Sequence, residues 1–180
     1  PGPVHLDIPV DVLFQTKKFD PGKKAKIMPP AANTRYVGSL PGPAEPVEKA
    51  CVAISGAERP LVLVGQGMGQ PGRYPGLKDK LNELGAPVLA SDCSFGVMES
   101  QEGCCPGGLG LLIGAKEGLA LLKEAALHVV IGWDEQIKEA LAQTATGSAA
   151  LVQVETDPSA LQTGRKNFIG VNADPISFLS

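Results

Sequence analysis

Residues able to touch a ligand fall into five short stretches, each directly after an apolar run. They are Gly65 and Gly67; Ser91 and Asp92; Gly132, Trp133 and Asp134; Glu155 and Thr156; and Asn172 and Ala173. Every stretch is small, polar or acidic. Glycine lets a ligand approach the backbone, and exposed amides take phosphate oxygens. Glu155 has the chemistry to accept both hydroxyls of a ribose, as a carboxylate at a strand end does in nucleotide-binding sheets. As an acid just ahead of Pro158 it would equally suit a helix dipole. Trp133 could stack on a flat ring or fill a gap between helices, and Asp134 has the position of a helix cap. Gly65-x-Gly67-x-Gly69 departs from G-x-G-x-x-G, and Pro71, Gly72 and Pro75 delay the next helix, so a plain turn and a binding loop both stay open.

Catalytic constellations are scarce. There is no G-x-S-x-G elbow and no H-E-x-x-H pair. His128 lies inside an apolar strand run and reads as structural. Cys104 and Cys105 are adjacent and cannot form C-x-x-C; with Cys51 and Cys93 they read as incidental or buried thiols compatible with a reducing cytoplasm. Net charge is −3, and the densest basic stretch, Lys17, Lys18, Lys23, Lys24 and Lys26, reads as a solvated linker rather than a nucleic-acid footprint. No apolar run is long enough to span a membrane, and no secretory leader is visible.

The elements that must position the five stretches alternate from Pro46 onward. Val47, Ala50, Cys51 and Ile54 have helical spacing. Leu61 to Val64 is an apolar run of strand length. Leu77, Leu81 and Leu84 predict a helix closed by Gly85, and Pro87 to Ala90 a second strand. A short third strand is expected near Leu109 to Ile113. Ala115 to Ala126 reads as helix, Leu127 to Ile131 as strand, the region of Ile137, Ala140 and Leu141 as helix. Ala150 to Val154 and Phe168 to Val171 are the last strands. Apolar runs without alternation mark strands buried on both faces. The expectation is therefore an α/β, Rossmann-like, doubly wound, mainly parallel sheet of five or six strands with helices on both faces. Ligands of such sheets bind beyond the carboxyl ends of the strands.

Ahead of this pattern, Val4, Leu6 and Ile8 alternate with polar residues as in a lone strand. Residues 16–45 are rich in proline and read as a linker. The expected organisation is thus residues 1–15 as the end of one domain, 16–45 as linker and 46–180 as a second domain. Pro1 in place of Met fits a fragment of something longer.

The segment Gly2 to Val12 resembles the close of the pyrimidine-binding domain of thiamine-diphosphate-dependent enzymes of the acetolactate synthase, pyruvate oxidase and decarboxylase type. Arg59-Pro60-Leu61-Val62-Leu63-Val64-Gly65-Gln66-Gly67 resembles the first strand and turn of their central domain, and Leu84 to Ala90 the second strand. Val129-Val130-Ile131-Gly132 resembles the fourth strand, and Leu151 to Pro158 their hydrophobic-acid-x-Asp-Pro motif. The resemblance implies the central domain of a carboligase or decarboxylase acting on 2-keto acids. It would serve as scaffold and FAD or ADP site, and would not be catalytic in isolation. It also implies thiamine diphosphate and Mg2+ in the parent enzyme, bound by flanking pyrimidine- and diphosphate-binding domains outside this chain. Such parents form homodimers or homotetramers in the cytoplasm, and neither nucleic acid nor membrane is an expected partner.

The departures concern the nucleotide. Trp133-Asp134-Glu135-Gln136 stands where flavin-binding members carry an Arg and Asp series. Asn172-Ala173 replaces their Gly-Asp pair, and Phe95 to Gly110 differs from their loop. Glu155 keeps the adenosine contact that the resemblance implies. A stand-alone adenine-nucleotide module and an NAD-dependent enzyme of deoxyhypusine-synthase-like or sirtuin-like fold are the alternatives; the latter lacks a zinc C-x-x-C pair and a suitable His.

Overall fold

Prolines and glycines break the chain into runs short enough for strands and amphipathic enough for helices. The computed structural model describes residues 5, 7–14, 40–68, 73–94, 97, 107–108, 115–143, 149–162, 164 and 166–180. The chain divides into two units, residues 1–35 and 36–180.

In the first unit the described residues form one turn of helix, α1 (Val10–Leu13), entered at Pro9. The apolar side chains Ile8, Val10, Val12 and Phe14 are all exposed. The expected strand over Val4 to Ile8 is not seen at His5, Asp7 or Ile8; Val4 and Leu6 lie outside the described residues. A strand needs a partner to satisfy its backbone, and no strand is described in this unit.

The second unit opens with α2 (Ala44–Ser55), which starts inside the expected linker rather than after it. Extended Pro43 leads in, and Pro46 falls in the first turn, where an amide has no intrahelical partner to lose. Of the expected linker, residues 16–39 lie outside the described residues, and residues 40–43 are described outside any helix or strand. Ala50 is buried, while Cys51 and Val52 face outward.

Among the described residues six strands follow: β1 (Pro60–Val64), β2 (Val88–Ala90), β3 (Gly107–Gly108), β4 (Leu127–Ile131), β5 (Ala150–Glu155) and β6 (Phe168–Asn172). They form one sheet in the order β3-β2-β1-β4-β5-β6, and every neighbouring pair is parallel. The register sets Val88, Val62, Val129, Val152 and Ile169 in one row across it. The third strand is described at Gly107 and Gly108, which pair with Leu89 and Ala90; the expected stretch Leu109 to Ile113 lies outside the described residues. A pair of glycines has no side chains to bury, so no apolar run announced it.

Between the strands run α3 (Leu77–Glu83), α4 (Ala115–Glu124) and α5 (Glu135–Gln143), and α6 (Pro175–Phe178) closes the chain. Helix α4 stops before the expected Ala126 because the Ala126 amide already donates to Arg59 O, across from the start of β1. Ala50, Leu77, Leu81 and Phe178, from α2, α3 and α6, join the valines of one sheet face. Leu122, Ile137, Ala140 and Leu141, from α4 and α5, pack on Leu61, Leu63, Val130 and Leu151 of the other. Each fully buried leucine or isoleucine contributes about 1.5–3 kcal/mol from apolar burial alone. The sheet is therefore doubly wound, with all its carboxyl ends on one edge.

Candidate ligand site at the carboxyl edge of the sheet

The strand order reverses between β1 and β4, which makes that gap the switch point where ligands of open parallel sheets sit. The two strands leave it through glycines. A Cβ on Gly65 would stand 2.0 Å from the Gly132 carbonyl oxygen, and one on Gly132, where φ is +77°, would stand 2.9 Å from Gln66 O. These glycines allow two backbones to approach each other rather than to admit a ligand between them. Gly67, at φ +88°, completes the turn after β1.

Beyond β2, Ser91 is buried and its hydroxyl donates to Asp134 Oδ2 at 2.5 Å. The other carboxylate oxygen, Oδ1, accepts the Ile137 amide at 2.9 Å and so caps α5, the role expected of Asp134. Buried Ser94 adds a hydroxyl bond to Val64 O at 2.5 Å. Asp92 and Gln136 exchange two bonds: the Asp92 amide donates to Gln136 Oε1 at 2.7 Å, and Gln136 Nε2 donates to Asp92 Oδ2 at 3.1 Å. Ser91, Asp92 and Asp134 thus tie β1, β2 and α5 together.

Glu155 ends β5, half-buried, and its carboxylate accepts the Trp133 backbone amide. Burial raises its pKa above the ordinary 4.5; the Trp133 amide and the Gln153 side chain oppose that, and Asp157 and Asp134 add to it. The Trp133 ring packs on the α4–α5 side of the core. Asn172 Nδ2 donates to the carbonyls of Glu155 and Thr156 at 2.8 and 3.1 Å. Ala173 is buried, and its amide donates to Glu155 O at 3.0 Å. The structure therefore brings all eleven sequence candidates to one edge, with Gly132, Trp133, Glu155, Thr156 and Asn172 grouped around the exits of β4, β5 and β6.

Two residues at this edge escaped the sequence reading. The Arg73 guanidinium carbon lies 5.2 Å from the centroid of the Tyr74 ring, and Arg73 Nη1 lies 3.2 Å from where a Cβ on Gly67 would stand. Burial raises the Tyr74 pKa, with Asp174 and Glu155 acting the same way and Arg73 opposing. The only signal in the sequence is a cation and an aromatic just behind the glycine turn.

A cavity of about 280 Å3 opens at the other edge of the sheet, lined by residues such as Arg59, Pro60, Gly85 and Leu121. None of the sequence candidates borders it. His128 is buried with Nε2 2.9 Å from Leu122 O, which matches its structural reading. Among the described residues, no group of three or more His, Cys, Asp or Glu is placed to hold a metal ion, and no helix is long and apolar enough to cross a membrane.

Comparisons with known proteins give a consistent result. Residues 47–180 match the family described as thiamine pyrophosphate enzyme, central domain. The chain is 24% identical over 176 residues to the large subunit of acetolactate synthase isozyme 2 of Escherichia coli, covering 97% of this chain and 30% of that protein. It is 27% identical to an acetolactate synthase large subunit of Parasynechococcus marenigrum, covering 97% and 28%. It spans less than a third of the length of these relatives. A crystal structure of an enzyme assigned as thiamin diphosphate-dependent, from Mycobacterium smegmatis, superimposes with a TM-score of 0.52 at 19% identity, over 83% of this chain and 29% of that one.

Proposed function

This chain belongs to the family of thiamine pyrophosphate enzyme central domains, and from that premise we propose that it is the scaffold domain of a carboligase or decarboxylase of 2-keto acids and carries an adenine-nucleotide site at its carboxyl edge. In this reading the parent enzyme binds thiamine diphosphate and Mg2+ through flanking domains outside this chain and works in the cytoplasm as a homodimer or homotetramer. The chain alone does not turn over substrate.

The observation that carries the nucleotide site is Glu155. Its carboxylate stands at the end of an inner strand, one strand from the switch point, with Trp133 beside it. A carboxylate has about four acceptor positions. One amide bond from Trp133 is compatible with two further bonds from ribose hydroxyls. The Trp133 backbone bond also fixes the carboxylate before a ligand arrives, which lowers the ordering cost of binding. Glycine at Gly67 keeps a side chain away from the path of the phosphates. FAD and ADP share the adenosine diphosphate moiety that these residues would meet.

Titration calorimetry tests both halves. Adenosine and ADP are expected to bind, and Glu155→Gln to weaken both by roughly tenfold, the effect of one charge-assisted hydrogen bond. An unchanged affinity in that variant sinks the site. Thiamine diphosphate with Mg2+ is expected to give no saturable heat with this chain; tight binding would overturn the domain assignment.

A further inference from the structure

We propose that Gln153 is the positioning residue of Glu155: one buried carboxamide orients the carboxylate and locks it to the loop of residues 158–162. The link belongs to the strand and its loop; its meaning for binding rests on the Glu155 reading above.

On packing grounds alone an apolar residue would suit this place in β5. Leu151, Val152 and Val154 around it are buried, and Gln153 itself has no exposed surface. A carboxamide taken out of water is tolerated where its donors and acceptor find partners. Those of Gln153 find two in the loop that follows. Its Nε2 donates to Ala160 O at 2.9 Å, and its Oε1 accepts the Gln162 amide at 2.9 Å.

Neither of those backbone groups belongs to a strand. The chain makes a single 3-10 turn at Pro158–Ala160 and leaves it through Leu161, extended at φ −69° and ψ 129°. Across an extended residue the preceding carbonyl and the following amide point the same way. A carboxamide has a peptide-like donor and acceptor, so Gln153 bridges the two as a neighbouring strand would. Leu161 lies against Gly170 of β6, 3.4 Å from where a Cβ would stand. Asp157 accepts the Ser159 amide and hydroxyl at 2.9 and 2.7 Å. The loop is thus folded back toward the sheet, and Gln153 ties it to the core.

The same carboxamide reaches Glu155. Residues 153 and 155 share one face of the strand by its two-residue period. Nε2 carries two hydrogens. One goes to Ala160 O, and the Gln153 side chain also hydrogen-bonds the Glu155 carboxyl, favouring its ionised form. The Trp133 amide donates to the same carboxylate from the exit of β4. Two donors from two strands therefore fix its orientation. A carboxamide is planar, so a twist that follows Glu155 strains both loop bonds. Among the described residues the other titratable groups around this carboxyl are Asp157, Asp134 and Tyr74. The two aspartates oppose its ionisation, and the donor from Gln153 offsets them.

NMR titration of the whole chain tests the link without a ligand. The Glu155 carboxyl carbon, assigned by its loss in Glu155→Gln, gives the midpoint. In the unsubstituted chain the Gln153 side-chain amide and the Gln162 backbone amide should shift with that same midpoint, and both dependences should vanish in Glu155→Gln. Gln153→Met, which fills the space without the bonds, should move the Glu155 midpoint upward and speed hydrogen exchange of the Gln162 amide by roughly tenfold. A merely structural glutamine would loosen the loop in that variant and leave the Glu155 midpoint where it was, which overturns the proposal. A Gln153 amide that ignores the titration of Glu155 in the unsubstituted chain overturns it equally, whether or not Gln153→Met folds. Adenosine separates the link from the site. Where it binds, exchange of the Gln162 amide should slow by roughly threefold or more, the effect of a fraction of one hydrogen bond; binding that leaves Gln162 unmoved overturns the lock. If adenosine does not bind, the nucleotide reading fails, while a shared midpoint still establishes Gln153 as the residue that positions Glu155.

Discussion

At Glu155 burial favours the protonated carboxyl, while the Trp133 amide favours the ionised one, and burial is the larger influence. A raised folded pKa means that the native chain holds a proton the unfolded chain has already released. Stability therefore falls as pH rises from about the ordinary 4.5 through the raised value. Glu155→Gln keeps an oxygen for the Trp133 amide and removes the titration. Thermal melts across this pH range should show a flatter profile for the variant, with neutral-pH stability equal to or above that of the parent chain. A profile parallel to the parent's would show that the carboxyl is not desolvated. Ligand binding should run in the opposite sense, because ribose hydroxyls donate to the ionised form: nucleotide affinity should weaken as pH falls through the raised pKa. These two slopes of opposite sign distinguish a ligand carboxylate from an acid that merely leads a turn.

Strand packing makes a sharper demand than any single polar contact. A Cβ at Gly65 would stand 2.0 Å from Gly132 O, on backbone that cannot move without opening the β1–β4 pairing. Gly65→Ala should therefore cost roughly 3 kcal/mol or more in denaturant unfolding, at or beyond the usual range for overpacking. Gly76, at φ +82°, has nothing within 4 Å of an added Cβ, so Gly76→Ala should cost only the left-handed strain of about 1–2 kcal/mol. Equal losses would remove the argument for close approach. The same contrast explains what the sequence could reveal. Leu61 to Val64, and Leu127 to Ile131 but for His128, announced buried strands because their residues are apolar, and Asp134 announced its cap because capping is local. The Ser91–Asp134 bond joins residues 43 apart in the chain and exists only because β2, β1 and α5 meet. Buried Gln153, which donates to Ala160 O and accepts the Gln162 amide, broke an apolar run without showing its purpose. Gly65 and Gly132 read as room for a ligand because the sequence does not say which backbone a glycine faces. Arg73 stayed hidden for the same reason: its partner Gly67 is known only after the turn is folded.

At the scale of the whole molecule, both sides of the core are built from residues between Val47 and Leu179, and the matched family region covers the same part of the chain. The N-terminal unit contributes a single helical turn among its described residues, with Val10 66% and Phe14 82% exposed. Large apolar side chains left in water gain nothing from burial, so they add no stability where they stand. In the proposed parent enzyme a preceding domain would cover them, as the resemblance of Gly2 to Val12 to the close of such a domain implies. A chain trimmed to residues 36–180 should accordingly unfold in one cooperative transition. Its midpoint should lie within about 2 °C of the full chain, since a loss of even 1 kcal/mol would move it by roughly 2–8 °C at this size. It should also self-associate less at high concentration by analytical ultracentrifugation, because the exposed Ile8, Val10, Val12 and Phe14 are gone. A midpoint lowered by more than about 4 °C would place the N-terminal segment in the fold of the central domain and move the domain boundary upstream.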